Sequence, residues 1–112
     1  MGTLSRFDVA LVLFPFTEKT GQKQRPAVVL SHADFNASHG QIVGVMVTTA
    51  SNTQWPSDTP ITGLSEAGLE RPSVMRLKFV SIVDELVVGR IGRLSTVDSD
   101  VLSTAIGGLF LK

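Results

Sequence analysis

The sequence FDVALVLFPFTEKTGQKQRPAVVLS, residues 7–31, decides the fold because it holds two apolar runs on either side of a polar turn. Both runs, residues 9–14 and 27–30, are rich in valine and leucine and are bounded by turn-forming residues, which is typical of β-strands. Pro26 fixes its own φ angle and biases Arg25 toward an extended backbone. The segment therefore predicts two core strands that hold one arginine at the rim of a groove.

The guanidinium of Arg25 is a planar fork of donors that fits a phosphate. An Arg-Pro pair alone, however, is not a motif with a defined mechanism. A surface arginine that precedes an edge strand explains the same residues. From this segment alone, both a phosphate-binding and a purely structural Arg25 remain open.

Composition predicts one domain, residues 1–112, with one hydrophobic core, because 43% of the residues are hydrophobic and only 18% are charged. Ten basic and ten acidic residues give a formal net charge of zero, so there is no global attraction to nucleic acid. Lys19, Lys23 and Arg25 cluster in the first turn, whereas residues 26–70 contain no lysine or arginine. Any binding of nucleic acid must therefore come from a local patch.

The absence of cysteine excludes disulfides, cysteine catalysis and cysteine-based zinc sites, and it suits a reducing cytoplasm. The run of residues 9–14 is too short to span a bilayer, and no apolar leader precedes it. The sequence also lacks a cluster of metal-ligand residues. We therefore expect a cytoplasmic protein without a membrane segment, metal or cofactor.

The rest of the chain continues as short β segments, and we expect strands at residues 41–49, 59–62, 73–79 and 86–90, the last continuing toward Leu94. A short helix is expected at residues 31–38, after the second main strand. A longer one is expected at the C-terminus, where Ser95 and Asp98 have capping-box spacing. Because helices do not alternate with the strands, a parallel α/β sheet is excluded. The prediction is an all-β-dominated fold: a small, partly closed barrel with a C-terminal helix.

Several segments along nearly the whole chain form a recognisable series. They are FDV at residues 7–9, FPFT at 14–17, a basic turn that contains Gly21, RPAVVLS at 25–31, VMVTT at 45–49, GL at 68–69 with PSV at 72–74, and GRIGRL at 89–94. Together they resemble the PemK/MazF toxins of toxin–antitoxin systems. The resemblance implies a homodimeric SH3-like barrel that cleaves single-stranded RNA without a metal and is neutralised by an antitoxin.

The resemblance assigns catalytic roles to two residues. Arg25 matches the family's catalytic arginine, and Thr48 matches the hydroxyl residue at the end of the third strand, which would bind a phosphate oxygen. Arg76 and Thr49 are further candidates for catalysis or phosphate binding. Relatives that place an acidic residue two positions after the second arginine have a proposed acid–base partner there, whereas this chain has Lys78.

Residues for RNA binding are expected in the two polar loops, at residues 15–24 and 50–60. They are Phe16, Thr17, Lys19, Lys23, Gln24 and Trp55, of which the two aromatic residues are candidate stacking platforms for bases.

Structural explanations compete with these assignments. Strand propensity alone explains Thr48 and Thr49, and Arg76 fits an exposed position in an alternating strand. His32 and His39 flank the first predicted helix, away from the Arg25 turn, and we expect structural or surface roles for them.

The chemistry of RNA cleavage needs few protein groups because the 2′-hydroxyl is the nucleophile. The predicted activity is an endoribonuclease that leaves a 2′,3′-cyclic phosphate and a 5′-hydroxyl. The rival prediction is a toxin of the same fold that binds and poisons a gyrase-like enzyme, since fold alone does not fix function. A third is an inactive barrel that serves only as an oligomerisation or antitoxin-binding module.

Overall fold

The computed structural model describes residues 3–14, 23–51 and 54–111, which form six strands and two α-helices. The strands make one antiparallel sheet in the order β4-β5-β3-β2-β1-β6. In chain order the elements are β1 (Asp8–Phe14), β2 (Lys23–Val29), α1 (Ala33–His39), β3 (Gln41–Thr49), β4 (Thr59–Pro60), β5 (Ser73–Val83), β6 (Val87–Arg93) and α2 (Thr96–Phe110), with a short 3-10 helix, Asp84–Leu86, before β6.

Both faces of the sheet are largely buried at the central strands β1, β2 and β3, which explains why these strands contain continuous apolar runs. On one face, residues such as Val28, Val45 and Met75 pack with Leu102 of α2. On the other face lies a second cluster, composed of Ala10, Val12, Ala27, Val29, Ile42, Met46 and Ile82. We call the face with this second cluster the site face, because the candidate site lies at its end.

The prediction of a small β-dominated, barrel-like fold with a C-terminal helix is confirmed. Within the described residues the hydrogen-bonded sheet does not close, because β4 and β6 stand at its two ends. A short helix follows the second strand, as predicted. None of the helices in the described ranges is long and apolar enough to cross a membrane.

Two strands are longer than predicted. β2 begins at Lys23, because its polar first half pairs with the apolar end of β1 in a hairpin. Arg25 therefore lies inside a strand, opposite Val12, and not in the turn before it. β5 continues to Val83, and its register against β3 shifts after Arg76.

Helix α2 begins as the capping-box spacing predicts, since the Ser95 hydroxyl accepts a 3.1 Å hydrogen bond from the backbone N–H of Asp98. The carboxylate of Asp98, in a residue only 1% exposed, accepts hydrogen bonds from the backbone and hydroxyl of Thr62 and from the backbone of Gly63. Asp98 thereby fastens α2 to the segment that follows β4.

Candidate functional site

The first two predicted site residues, Arg25 and Thr48, lie on neighbouring strands and on the same face of the sheet. The pairing of β2 with β3 includes Ala27 opposite Met46, and Arg25 and Thr48 each lie two residues beyond this pair. Because strand side chains alternate between the two faces, Arg25 and Thr48 belong to the face that carries Ala27 and Met46. Both residues are partly buried at the end of the site face.

The third strand adds Arg76 to this face, because β5 pairs Arg76 with Met46. Lys23 also belongs to it, two residues before Arg25. Successive strand residues point to opposite faces, so Gln24 and Thr49 belong to the other side of the sheet, where Thr49 lies opposite Ser73. The structure therefore brings Lys23, Arg25, Thr48 and Arg76 to one face and separates Gln24 and Thr49 from them.

Asp58 lies directly beside Arg76. β4 pairs Thr59 with Met75, and one residue further this register places Asp58 opposite Arg76. The guanidinium donates from Nε to Oδ1 at 3.1 Å and from Nη2 to Oδ2 at 2.8 Å. This two-bond geometry matches a planar fork to a planar carboxylate. The exposed fractions of the two side chains are only 13% for Arg76 and 8% for Asp58.

A β-turn holds Asp58 and Trp55 in place. The backbone N–H of Asp58 donates to the Trp55 carbonyl at 3.0 Å, and the Trp55 N–H donates to Asp58 Oδ2 at 2.9 Å. Pro56 occupies the second position of the turn, where its fixed φ is favourable. Arg76 Cζ lies 4.9 Å from the centroid of the Trp55 ring, in cation–π contact. Trp55 is still 41% exposed.

The charges of this pair stabilise each other. The hydrogen bond from the Arg76 side chain lowers the pKa of Asp58 below its ordinary value of 3.8, and it outweighs the opposing effect of burial. The hydrogen bond to Asp58 in turn raises the pKa of Arg76. Near neutral pH Asp58 is therefore an ionised acceptor and does not serve as a proton donor.

Other predicted residues lie elsewhere. Phe16, Thr17 and Lys19 fall outside the described residues. His32 and His39 stand at the two ends of α1, and the His39 ring stacks on Phe35 with centroids 4.1 Å apart. Within residues 3–14, 23–51 and 54–111 there is no group of three or more histidine or acidic side chains that could hold a metal ion.

Asp58 lies in the polar loop at residues 50–60, where RNA contacts were expected, but it was not itself a predicted site residue. Only the composition of the loop pointed to it, because Asp58 is the one acidic residue between residues 50 and 60, in a stretch of the chain without lysine or arginine. The cation that it binds, Arg76, lies on β5, 18 positions later in the sequence. Lys78 is exposed and lies where the β3–β5 register shifts.

The fold is similar to that of several solved toxins. A mycobacterial endoribonuclease in complex with its cognate antitoxin has a TM-score of 0.71 at 15% identity, with 96% of this chain and 93% of that chain covered. MazF from Deinococcus radiodurans has a TM-score of 0.70 at 19% identity over 100% of both chains. The Mycobacterium tuberculosis toxin MazF-mt6 has a TM-score of 0.69 at 20% identity, with 90% of this chain and 95% of that chain covered.

Among curated proteins, none matches the chain. The family model described as the PemK-like, MazF-like toxin of type II toxin–antitoxin systems matches residues 5–110, nearly the whole sequence. At identities of 15–20% the solved structures support the fold alone, whereas the family model covers both the sheet and the C-terminal helix. This protein therefore belongs to the PemK-like, MazF-like toxins of type II toxin–antitoxin systems.

Proposed function

We propose that this protein is a metal-independent endoribonuclease that cleaves single-stranded RNA and so inhibits translation and growth from the cytoplasm. One observation carries the proposal: the strand registers bring Arg25, Thr48 and Arg76 to the same face of the sheet. Two guanidinium groups and a hydroxyl form a donor set suited to the oxygens of a phosphodiester. Family membership supports the same activity.

In the proposed reaction the RNA supplies its own nucleophile. The 2′-oxygen loses its proton and attacks the phosphorus, the bond from phosphorus to the 5′-oxygen breaks, and that oxygen takes up a proton. The products are a 2′,3′-cyclic phosphate and a 5′-hydroxyl. Arg25 and Thr48 donate to the nonbridging oxygens, where negative charge accumulates in the transition state. Arg76 adds a second positive charge on the same face.

RNA binding extends from this donor set to its neighbours. Lys23 lies on the same face as Arg25, and Trp55 offers a partly exposed ring beside Arg76. A base stacked on such a ring gains affinity without strong preference for its identity. Phe16, Thr17 and Lys19 remain predicted RNA contacts from the turn that precedes β2.

We also propose a homodimer and an antitoxin partner. Helix α2 exposes Val97, Val101, Leu109 and Phe110, and Phe79 of β5 meets Phe110 edge-on at 5.7 Å. Exposed large apolar side chains such as these are common at interaction surfaces. One of the similar solved structures is an endoribonuclease in complex with its cognate antitoxin, and others are MazE-MazF from Deinococcus radiodurans. Size-exclusion chromatography with light scattering would test the dimer, and a monomeric mass would contradict it.

The activity is tested with one RNA and its 2′-deoxy counterpart, each incubated with the purified protein in chelator. We expect cleavage of the RNA alone, with cyclic phosphate and 5′-hydroxyl ends. Cleavage of both substrates, or cleavage only when metal is added, would contradict the mechanism.

Arg25→Ala serves as the active-site control, and we expect it to lower kcat/KM by about 10²-fold or more, as loss of a transition-state donor does. Arg25→Lys should recover little, because a point charge lacks the forked geometry. If the protein is toxic, cleaves no RNA, and is equally toxic as the Arg25→Ala variant, the gyrase-poison alternative would replace this proposal.

A further inference from the structure

The ion pair of Asp58 and Arg76 differs from an ordinary surface salt bridge. Ordinary exposed pairs are mobile and lose much of their attraction to solvent. Here both side chains are less than 15% exposed, and two parallel N–H···O bonds fix their relative orientation. The carboxylate itself is held by the Trp55 N–H, within a turn that Asp58 closes. The Asp58 carboxylate is therefore an acceptor held in one position by its hydrogen bonds.

A fixed acceptor determines how the guanidinium of Arg76 lies. The guanidinium is planar, and two of its N–H bonds, on Nε and Nη2, are directed at Asp58. Its remaining N–H bonds consequently point away from the carboxylate, in directions set by the same plane. The Trp55 ring, 4.9 Å from Cζ, contacts the guanidinium as well. The carboxylate and the ring together restrict the orientation of the guanidinium.

The backbone provides a reason why Arg76 needs this support. Arg76 pairs with Met46, whereas Phe79 pairs with the preceding residue, Val45, so Leu77 and Lys78 fall in a bulge. A β-bulge bends the strand and changes the direction of nearby side chains. Position 78, within this bulge, carries an exposed lysine. The carboxylate that binds Arg76 comes instead from Asp58, the residue just before β4.

We propose that Asp58 is the positioning residue of this site: through its two hydrogen bonds it orients Arg76 toward the substrate phosphate. The inference rests on the proposed RNA-cleaving function and deepens it. Asp58 touches no substrate and moves no proton; it acts only through Arg76, and Trp55 completes the support.

The first experiment compares Asp58→Asn with the wild-type protein in RNA cleavage. Asparagine keeps the size of the side chain but presents an amide N–H to a guanidinium N–H, so the two-bond geometry is lost. We expect kcat/KM to fall by about 10²-fold, the usual effect of a displacement of about 1 Å in a reacting group. Asp34→Asn, an exposed residue of α1, is the matched control and should leave kcat/KM unchanged.

A double-mutant cycle decides whether Asp58 acts through Arg76. We expect Arg76→Ala to lower kcat/KM at least as much as Asp58→Asn, and the double variant to be no worse than Arg76→Ala alone. Effects that multiply would show that Asp58 acts independently and would overturn the proposal. Faster cleavage by Asp58→Asn would also overturn it, because Asp58 would then block Arg76 rather than position it.

Fluorescence gives a measurement that does not depend on activity. Trp55 is the only tryptophan, so its emission reports the contact with Arg76 directly. We expect Asp58→Asn and Arg76→Ala to shift the emission, and the double variant to match Arg76→Ala. Unchanged emission in Asp58→Asn would overturn the proposal. If wild-type protein cleaves no RNA, the proposed function fails, while the fluorescence cycle still decides whether Asp58 holds Arg76 in place.

Discussion

Two aspartates fix the chain on either side of β4, and they do so with different partners. Asp58, just before the strand, binds a guanidinium near the surface and the backbone of its own turn. Asp98, from α2, binds the neutral donors of Thr62 and Gly63 just after the strand and is 1% exposed. Both pKa values lie below the ordinary value of 3.8.

The difference in partners indicates different roles: Asp98 is a structural carboxylate, whereas Asp58 orients a residue of the candidate site. Burial by itself would raise the pKa of Asp98, but the hydrogen bonds from Gly63 and Thr62, with Ser95, outweigh it. All of its donors are neutral and local to the fold. Asp58 instead holds a cation on the face that carries Arg25 and Thr48. Loss of Asp98 should therefore affect stability, and loss of Asp58 should affect activity.

The largest expected effect on stability follows removal of the structural carboxylate. Asp98→Ala leaves the donors of Thr62 and Gly63 without their partly buried acceptor, and we expect the free energy of unfolding to fall by about 2 kcal/mol. Urea unfolding measures it, with exposed Asp100→Ala as the control, which should lie within about 0.5 kcal/mol of wild type. A loss of cleavage per folded molecule in Asp98→Ala would place this carboxylate in the site and break the distinction.

The next effect concerns the face of the sheet that carries the site. Thr48→Val removes one hydroxyl at nearly constant shape, and we expect kcat/KM to fall about tenfold, the equivalent of one lost hydrogen bond in the transition state. Thr49→Val is the matched control, because the same change one residue later lies on the opposite face. We expect less than about a twofold change there, since no donor to the phosphate is lost. Equal losses from both variants would contradict the assignment of the site to one face.

The same two regions show what the sequence could and could not predict. The strands were predictable because burial on both faces leaves continuous apolar runs such as residues 9–12 and 45–47. The capping of α2 was predictable because Ser95 and Asp98 are close in sequence. The pairing of Asp58 with Arg76 was not, since it spans 18 positions and depends on the register of a two-residue strand. The polar start of β2 was also missed, because its pairing with β1 has no apolar signature.

A smaller effect is expected from the ring that contacts Arg76. Trp55→Leu keeps apolar area but removes the stacking surface, so binding of a noncleavable 2′-deoxy oligonucleotide should weaken about fivefold, the low end of the range for one stacked base. Fluorescence anisotropy of a labelled oligonucleotide measures it. Phe35→Leu, an aromatic residue of α1, is the control and should bind as wild type does. Unchanged binding by Trp55→Leu would limit Trp55 to the support of Arg76.

The smallest expected effect concerns how acid and salt change the free energy of unfolding. The response to acid should be alike for the two carboxylates, and the response to salt should distinguish them. Each has a folded-state pKa below 3.8, so its stabilising contribution is complete above about pH 4 and is lost as the pH falls through the lowered value. Unfolding of Asp58→Asn and Asp98→Asn should therefore depend less on pH than wild type below about pH 4. Salt screens a charge pair more than it weakens hydrogen bonds to neutral donors, although the partial burial of the Asp58–Arg76 pair limits the screening. Adding salt should consequently shrink the difference between wild type and Asp58→Asn and preserve the difference between wild type and Asp98→Asn. If salt shrinks both differences equally, the two carboxylates act by the same electrostatic mechanism, and the contrast between a charged and a neutral partner does not explain their roles.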